Sequence, residues 1–440
     1  MSQYFGTDGI RGIANDDLTL ELSSKVGNAL TILKEKPLIV IGTDTRTSRD
    51  MLKSAFMSGV LAGGGNVVDL GILTTPAISY ITTLYKADFG VVISASHNPP
   101  EYNGIKIFDN LGAKLNESER DFIEDCISQN KTNYPQNFGC MQDDLISHDR
   151  YIDFLAASID TDLSGLKVIL DCSNGASYEI APKLFQRLGA EVVCYNCNHT
   201  GYDINVNCGS LHEEFLSKKT LEQKADIGFA FDGDADRVIA ADCEGHIING
   251  DSIIYILAKY LKSCGRLKGD MVVGTHHTNM GMEMSLKECG ITLLRADIGD
   301  HFVACEMEKY DCILGGEQSG HIILKDYAPT GDGILAALQL VNVLKKTKKT
   351  IKELNDFFVY PQTNINIQVK DKHRVLADKF LQLELARIGK EIASFGRLLV
   401  RASGTEPKVR IMTECMDERI TEEKANEIAQ IVKKVSSSFN

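Results

Sequence analysis

Short β-branched runs alternate along this chain with amphipathic stretches, an order that demands crossover connections and a largely parallel sheet. Lys36 to Gly42 predicts a strand, Met51 to Leu61 a helix, and Asn66 to Leu70 and Gly90 to Ile93 two further strands. The pattern restarts with a strand at Leu166 to Leu170, a helix at Ala176 to Leu188 and strands at Glu191 to Tyr195 and Asp226 to Phe231. A third round runs through the helix Ser252 to Leu261, the strand Met271 to Val273, the helix Gly281 to Cys289 and the strand Ile291 to Arg295. The tail changes character: strands at Thr363 to Val369, Arg397 to Arg401 and Val409 to Thr413 are interleaved with helices at Arg374 to Ile388 and Thr421 to Val435, an α+β pattern. With 440 residues, 43% of them hydrophobic, the chain can bury several cores at roughly 100 to 200 residues each. The expected fold is three successive α/β domains with mixed or parallel sheets plus a C-terminal α+β domain. Residues 129–142, rich in Asn, Gln and Gly, and the region around Pro361 read as linkers.

A formal net charge of −13 repels polyphosphate backbones and acidic membrane surfaces, so nucleic acid and membrane partners are not expected. An anionic small substrate remains compatible with it, because local Arg and Lys clusters outweigh net charge inside a Debye length of about 8 Å. No basic leader precedes an apolar stretch and no run approaches the ~20 apolar residues of a spanning helix, which places the chain in the cytoplasm. The twelve cysteines lack framework spacing and read as reduced thiols. Cys194, Cys197, His199 and Cys208 have zinc-like spacing, but only one tight ligand pair, and ordinary packing thiols are the better reading.

Four segments carry chemistry. Asp232-Gly233-Asp234-Ala235-Asp236-Arg237 follows the apolar run Ile227 to Phe231 directly, at a strand's carboxyl end where open α/β sheets bind ligands. Three carboxylates at alternate positions in a tight loop make an all-oxygen nest for a hard cation, Mg²⁺ first. An EF-hand is excluded, since Arg237 and Cys243 stand where that loop needs Gly and Glu. Val92-Ile93-Ser94-Ala95-Ser96-His97-Asn98-Pro99 is again a strand running into a loop, which predicts an exposed, fixed Ser96 hydroxyl. No Gly-x-Ser-x-Gly elbow surrounds it, so an α/β-hydrolase has no support. Gly315 to His321 is a Gly-rich turn whose Glu317 and Ser319 suit vicinal sugar hydroxyls. Arg401-Ala402-Ser403-Gly404-Thr405-Glu406-Pro407, with Arg410 behind it, combines guanidinium groups, hydroxyls and a flexible backbone into an anion cradle.

In this order the four segments resemble the α-D-phosphohexomutase family across essentially the whole chain. The resemblance implies a phosphoserine loop in domain 1–153, a metal loop in 154–251, a sugar loop in 252–361 and a phosphate loop in 362–440, set around a central cleft. It implies that Ser96 is the phosphoserine and that its phosphate, with Asp232, Asp234 and Asp236, completes a Mg²⁺ shell. His97, Lys106, Arg237 and His321 would lie near the transferring group and Arg11 near substrate. Glu317 and Ser319 would hold sugar hydroxyls, and Arg401, Ser403, Gly404, Thr405 and Arg410 the phosphate that is not transferred. A sugar 1,6-bisphosphate is then the intermediate or activator. Phe5 to Gly12, Asn103-Gly104-Ile105-Lys106 and Gln318 look like the amino-sugar branch, so a hexosamine phosphate is the implied substrate. Relatives acting on mannose or glucose phosphates tend to carry Met at the Gln318 position and remain the alternative. A homodimer is compatible with the family. The sequence departs from the family pattern at His301, where Arg is usual, and at Thr43, Arg49 and Ala402.

Overall fold

The computed structural model describes residues 4–6, 8–144, 146–403 and 407–439. The chain divides into two compact units, Met1–His277 with Gly290–Asp356, and Thr278–Cys289 with Phe357–Asn440.

The first unit holds three sheets. The first has seven strands in the spatial order Phe5–Gly6, Gly9–Ile13, Tyr102–Phe108, Phe89–Ile93, Leu38–Thr43, Asn66–Ile72 and Met141–Asp143. Its last four are mutually parallel and its first three antiparallel, so the sheet is mixed. The central strand Phe89–Ile93 is buried along its whole length, as a β-branched run covered on both faces must be. Helices Leu20–Leu33 and Arg49–Ala62 pack on this sheet with Val26, Leu30, Leu52 and Phe56 in the core. Their backbones meet at Gly27 and Gly59, where a Cβ would come within 2.2 Å of Phe56 O and 2.0 Å of Ser24 O.

The second sheet runs Ile247–Ile248, Val238–Asp242, Ile227–Phe231, Lys167–Asp171, Glu191–Tyr195, and the third Thr292–Ala296, Met271–Thr275, Leu314–Gly316, Ile322–Leu324. Both are mixed: a parallel pair of strand junctions, with antiparallel pairing toward one edge. Helices start where short polar side chains cap free amides: Asn249 Oδ1 accepts from Ser252 N at 3.1 Å to open Gly250–Ser263, and Asp332 Oδ1 accepts from Leu335 N at 2.9 Å to open Gly333–Thr347.

The second unit is an antiparallel sheet, Gln362–Gln368, Lys408–Cys415, Gly396–Ala402, backed by helices Lys379–Ile392 and Glu418–Ser437. One expectation changes here. The single helix at Arg374 to Ile388 is two, Lys372–Leu376 and Lys379–Ile392, because Asp378 turns its carboxylate onto Leu381 N at 3.0 Å and caps a new start. The helix Met280–Glu288 belongs with this unit: Met280 N donates to Glu414 Oε1 at 2.9 Å and Asn279 Nδ2 to Tyr360 O at 3.0 Å.

The 129–142 segment is packed onto the first sheet's domain rather than free. Asn133 is pinned by Asn28 and Gly63 O, and Met141–Asp143 closes the sheet's edge. Among the described residues no helix is long and apolar enough to cross a membrane.

Candidate active site

Ser96 sits past the end of its strand with φ +53°, a left-handed conformation that costs a non-glycine residue free energy and persists only where neighbours enforce it. Arg46 does the enforcing. This fully buried guanidinium donates to Ser96 O at 2.9 Å, Asn98 O at 2.7 Å and Tyr102 O at 2.9 Å, and also to Pro99 O. Its Nε donates to Asp44 Oδ2 at 2.9 Å, the oxygen that also accepts from Ser94 Oγ at 2.6 Å. Ser94 Oγ in turn accepts from Ser96 N at 2.9 Å. From the second sheet's side, Asn205 Nδ2 donates to Ser96 O at 2.8 Å and Asn98 O at 3.0 Å. The loop is therefore fixed as predicted, but Ser96 is only 1% exposed, because the acidic loop lies directly against it. Strand alternation does not carry Ser94 to the same face: the strand ends at Ile93 and the Ser94 hydroxyl is consumed within the loop.

The acidic loop closes a tight turn, with Ala235 at φ +57°. Asp232 Oδ2 accepts from Ser96 Oγ at 2.5 Å and Asp232 Oδ1 from Arg237 N at 3.2 Å. The three carboxylates each bring one oxygen within 4.8 Å of the others and are buried. Burial pushes Asp232 well above the usual carboxylate range, and the Asp236 and Asp234 charges push the same way. Asp236 goes well below it: burial opposes the charge, but Lys106, His321 and Arg237 prevail. Among the described residues, Asp234 Oδ1 and Asp236 Oδ1 are buried without a hydrogen-bond partner. Two orphaned anionic oxygens beside a third carboxylate fit a hard divalent cation. Cys194, Cys197, His199 and Cys208 form no comparable ligand group among the described residues.

Cations surround this nest. Lys106, on Tyr102–Phe108, reaches Asp234 Oδ2 at 2.8 Å and Asp236 Oδ2 at 3.2 Å. Thr75 Oγ1 donates to the same Asp234 oxygen at 2.5 Å. Arg11, on Gly9–Ile13, donates to Asn98 Oδ1 at 3.1 Å and pairs with Asp8. A backbone bridge between Arg237 and His321 ties the acidic loop to the Gly-rich turn, which is why Gly320 stands between them at φ +91°: a Cβ there would lie 2.1 Å from Val238 O. His321 Nε2 accepts from Gly331 N at 3.1 Å and its Nδ1 lies 3.8 Å from Asp236 Oδ2. Glu317 is buried and accepts from Gly299 N at 3.0 Å, while Ser319 is exposed.

His97 Nδ1 is 3.3 Å from Ser96 Oγ. Burial, with Arg237 and Arg11 beside it, pushes the imidazole down to about 4, so it is neutral at pH 7. ¹⁵N NMR of the ring is expected to show one unprotonated nitrogen throughout pH 5 to 8; protonation near pH 6.5 would contradict this environment.

In the second unit, Arg401 and Arg410 stand directly opposite on adjacent antiparallel strands and so share a face. Ser403 is buried, its N donates to Lys408 O at 2.9 Å, its carbonyl accepts from Lys372 Nζ, and its Oγ has no hydrogen-bond partner among the described residues. Gly404 and Thr405 lie outside the described residues. His301 lies on the helix Asp300–Tyr310, where burial, with Arg120 and Lys114 nearby, lowers its pKa. Arg49 holds Thr45 O at 2.6 Å, a backbone role, and Thr43 is buried at the end of its strand.

The residues that sequence reasoning missed are Asp44, Arg46, Asn205, Asp8, Lys114 and Asp300. Asp44 and Arg46 had a readable signal, a charged pair at a strand's carboxyl end; Asn205 had none.

Models of the phosphoglucomutase/phosphomannomutase family match along the chain: α/β/α domain I at residues 2–134, domain II at 149–245, domain III at 249–359 and the C-terminal domain at 365–431. The chain belongs to the phosphoglucomutase/phosphomannomutase family and is an enzyme of the phosphohexomutase class. Among its relatives, the phosphoglucosamine mutase of Caldanaerobacter subterraneus subsp. tengcongensis is 47% identical, covering 99% of both chains, and that of Clostridium novyi is 42% identical over the whole of both. Solved structures share the fold: a phosphoglucomutase/phosphomannomutase family protein of Burkholderia thailandensis has a TM-score of 0.84 at 24% identity, covering 98% of this chain and 97% of that one. The Aspergillus fumigatus N-acetylphosphoglucosamine mutase, solved with GlcNAc-6P and magnesium, has 0.71 at 16%, covering 99% and 96%.

Proposed function

We propose that this chain is a phosphoglucosamine mutase that interconverts glucosamine 6-phosphate and glucosamine 1-phosphate through phosphorylated Ser96 and a bisphosphorylated sugar, supplying an amino-sugar 1-phosphate for nucleotide-sugar and cell-wall precursor synthesis. The observation that carries the mechanism is the Ser96 hydroxyl donating to Asp232 inside a buried carboxylate nest in which, among the described residues, two oxygens have no hydrogen-bond partner. Asp232, Asp234 and Asp236, with an oxygen of the Ser96 phosphate, would hold Mg²⁺, which supplies charge neutralisation for the transferring group.

The chain's own residues do the rest. Arg46 and Asn205 hold the loop carbonyls so that Ser96 Oγ points at the acidic loop. The phosphoryl group passes from Ser96 Oγ to the C1 hydroxyl, and the proton of that hydroxyl ends on Ser96 Oγ, which then donates to Asp232 as it does here. Lys106, Arg11 and Arg237 supply positive charge where phosphoryl oxygens pass, the electrostatic work that dominates such transfers. Neutral His97 stands with Nδ1 3.3 Å from Ser96 Oγ, whose one proton goes to Asp232, and His321 backs Asp236. Glu317 and Ser319 bind sugar hydroxyls. Arg401, Ser403, Gly404, Thr405 and Arg410 grip the phosphate that stays, first at C6 and, after the bisphosphate turns around, at C1; the 6-phosphate then returns to Ser96.

Turnover of glucosamine, glucose and mannose phosphates at equal concentration, followed by ³¹P NMR, tests the reading. Glucosamine phosphate should be isomerised fastest. Faster turnover of mannose or glucose phosphate, or release of inorganic phosphate without isomerised product, would overturn it. Exhaustive chelation should lower turnover by at least ~10²-fold, with Mg²⁺ restoring it, since such an ion supplies several kcal/mol; unchanged activity would remove the metal from the mechanism.

A further inference from the structure

The charges beside the acidic loop continue away from it and return. Lys106 Nζ lies 3.2 Å from Asp236 Oδ2 and 3.1 Å from Asp8 Oδ2. The other oxygen of Asp8 accepts from Lys114 Nζ, and the same ammonium donates to Asp300 Oδ2. Asp300 Oδ2 lies 3.8 Å from His321 Nε2, a nitrogen that accepts from Gly331 N, and His321 Nδ1 lies 3.8 Å from Asp236 Oδ2, so the ring closes through His321 by proximity. Carboxylates alternate with nitrogen groups at every step around it. Asp8, Lys106 and Lys114 come from the first sheet's domain, Asp236 from the second's, and Asp300 and His321 from the third's.

Lys114 occupies the one place in this ring where a single side chain spans from the first domain to the third. Its backbone is held by a closed turn: Asp109 N donates to Ala113 O at 2.8 Å, Asp109 Oδ1 accepts from Ala113 N at 3.0 Å, and Lys114 bridges back to Phe108. The ammonium is mostly buried between its two carboxylates. Without it Asp8 and Asp300 would repel each other. Asp8 would then compete for Lys106 against Asp234 and Asp236, and Asp300 would lose the partner that sets it against His321.

We propose that Lys114 is a positioning residue of the phosphoryl-transfer site: by joining Asp8 to Asp300 it fixes Lys106 and His321 against the acidic loop. Its effect on turnover rests on the mutase reading; its effect on the ring does not. A misplacement of about 1 Å remote from the chemistry costs about 10²-fold. Lys114→Met should therefore lower kcat by about 30- to 100-fold with KM within about threefold, at unchanged Ser96 phosphorylation. Lys114→Arg, which keeps the charge, should recover most of it. Because both act through one ring, Lys114→Met combined with Asp300→Asn should be no slower than the slower single variant.

A kcat within twofold of wild type, a loss confined to KM, or multiplicative losses in the double variant would overturn the proposal. Hydrogen exchange of wild type and Lys114→Met without substrate gives a readout independent of turnover: the Gly299 and His301 amides, held by Glu317 and Asp300, should exchange faster in the variant. Unchanged exchange would also overturn it. Should Lys114→Met fail to fold, Asp300→Asn and Lys114→Arg carry the same comparison. Wild type that exchanges as described but does not isomerise glucosamine phosphate would refute the mutase reading and leave the ring standing.

Discussion

Ser96→Ala is expected to abolish mutase turnover, by about 10⁴- to 10⁶-fold, in a protein that still folds. Among the described residues, the nearby hydroxyls are already committed. Ser94 Oγ is spent between Asp44 and Ser96 N, and Thr75 Oγ1 already donates to Asp234. The variant gives up one hydrogen bond to a buried carboxylate, about 1 to 3 kcal/mol, and the backbone conformation stays enforced by Arg46 and Asn205. Ser96→Gly, which suits the positive φ, controls for strain and should be equally inactive. Circular dichroism with steady-state kinetics checks both. Turnover within tenfold of wild type in either folded variant would remove Ser96 from the chemistry.

Arg46→Met carries the second large effect, on stability and rate together. The guanidinium is wholly buried, and its removal strips donors from four loop carbonyls and the cationic partner from Asp44. Breaking a buried ion pair from one side costs about 3 to 5 kcal/mol. Burial already raises the Asp44 carboxyl despite Arg46, and removing that cation pushes the same way, so the Ser94 hydroxyl that Asp44 anchors should loosen. With Ser96 no longer held at its φ, kcat should fall by about 10²-fold. Arg46→Lys should not rescue, because a point ammonium cannot reproduce the fork that grips several carbonyls at once. Urea unfolding and kcat give the test; a Met variant as stable and as fast as wild type would show that the loop holds itself.

The strand-to-loop placements of Ser96 and of the acidic loop were legible because β-branched runs ending in Gly, Asp or Ser are local signals, and ligands gather at the carboxyl ends of such strands. Burial of Ser96 was not legible, since it depends on a loop from another domain lying against it. The exposed-hydroxyl expectation failed for that reason. Strand alternation does not carry from Ser94 to Ser96, because the strand stops at Ile93 and the positive φ at Ser96 redirects the chain. The ring of Asp8, Lys114 and Asp300 had no local pattern: Lys114 meets partners 106 and 186 residues away, so only the folded chain assembles it. The break at Asp378 was readable in principle, since an Asp followed by an apolar periodic run is a cap signal, but the surrounding periodicity masked it.

In the proposed reaction the phosphoryl group of Ser96 is the one given to the sugar. Enzyme carrying phosphate on Ser96, verified by peptide mapping, should be mixed with one equivalent of glucosamine 6-phosphate and quenched over a single turnover. Intact-protein mass and ³¹P NMR should show phosphate leaving the Ser96 peptide as glucosamine 1,6-bisphosphate forms, then returning to Ser96 as glucosamine 1-phosphate appears. Phosphate that maps to another residue, or that leaves Ser96 as inorganic phosphate while the sugar stays unchanged, would contradict it.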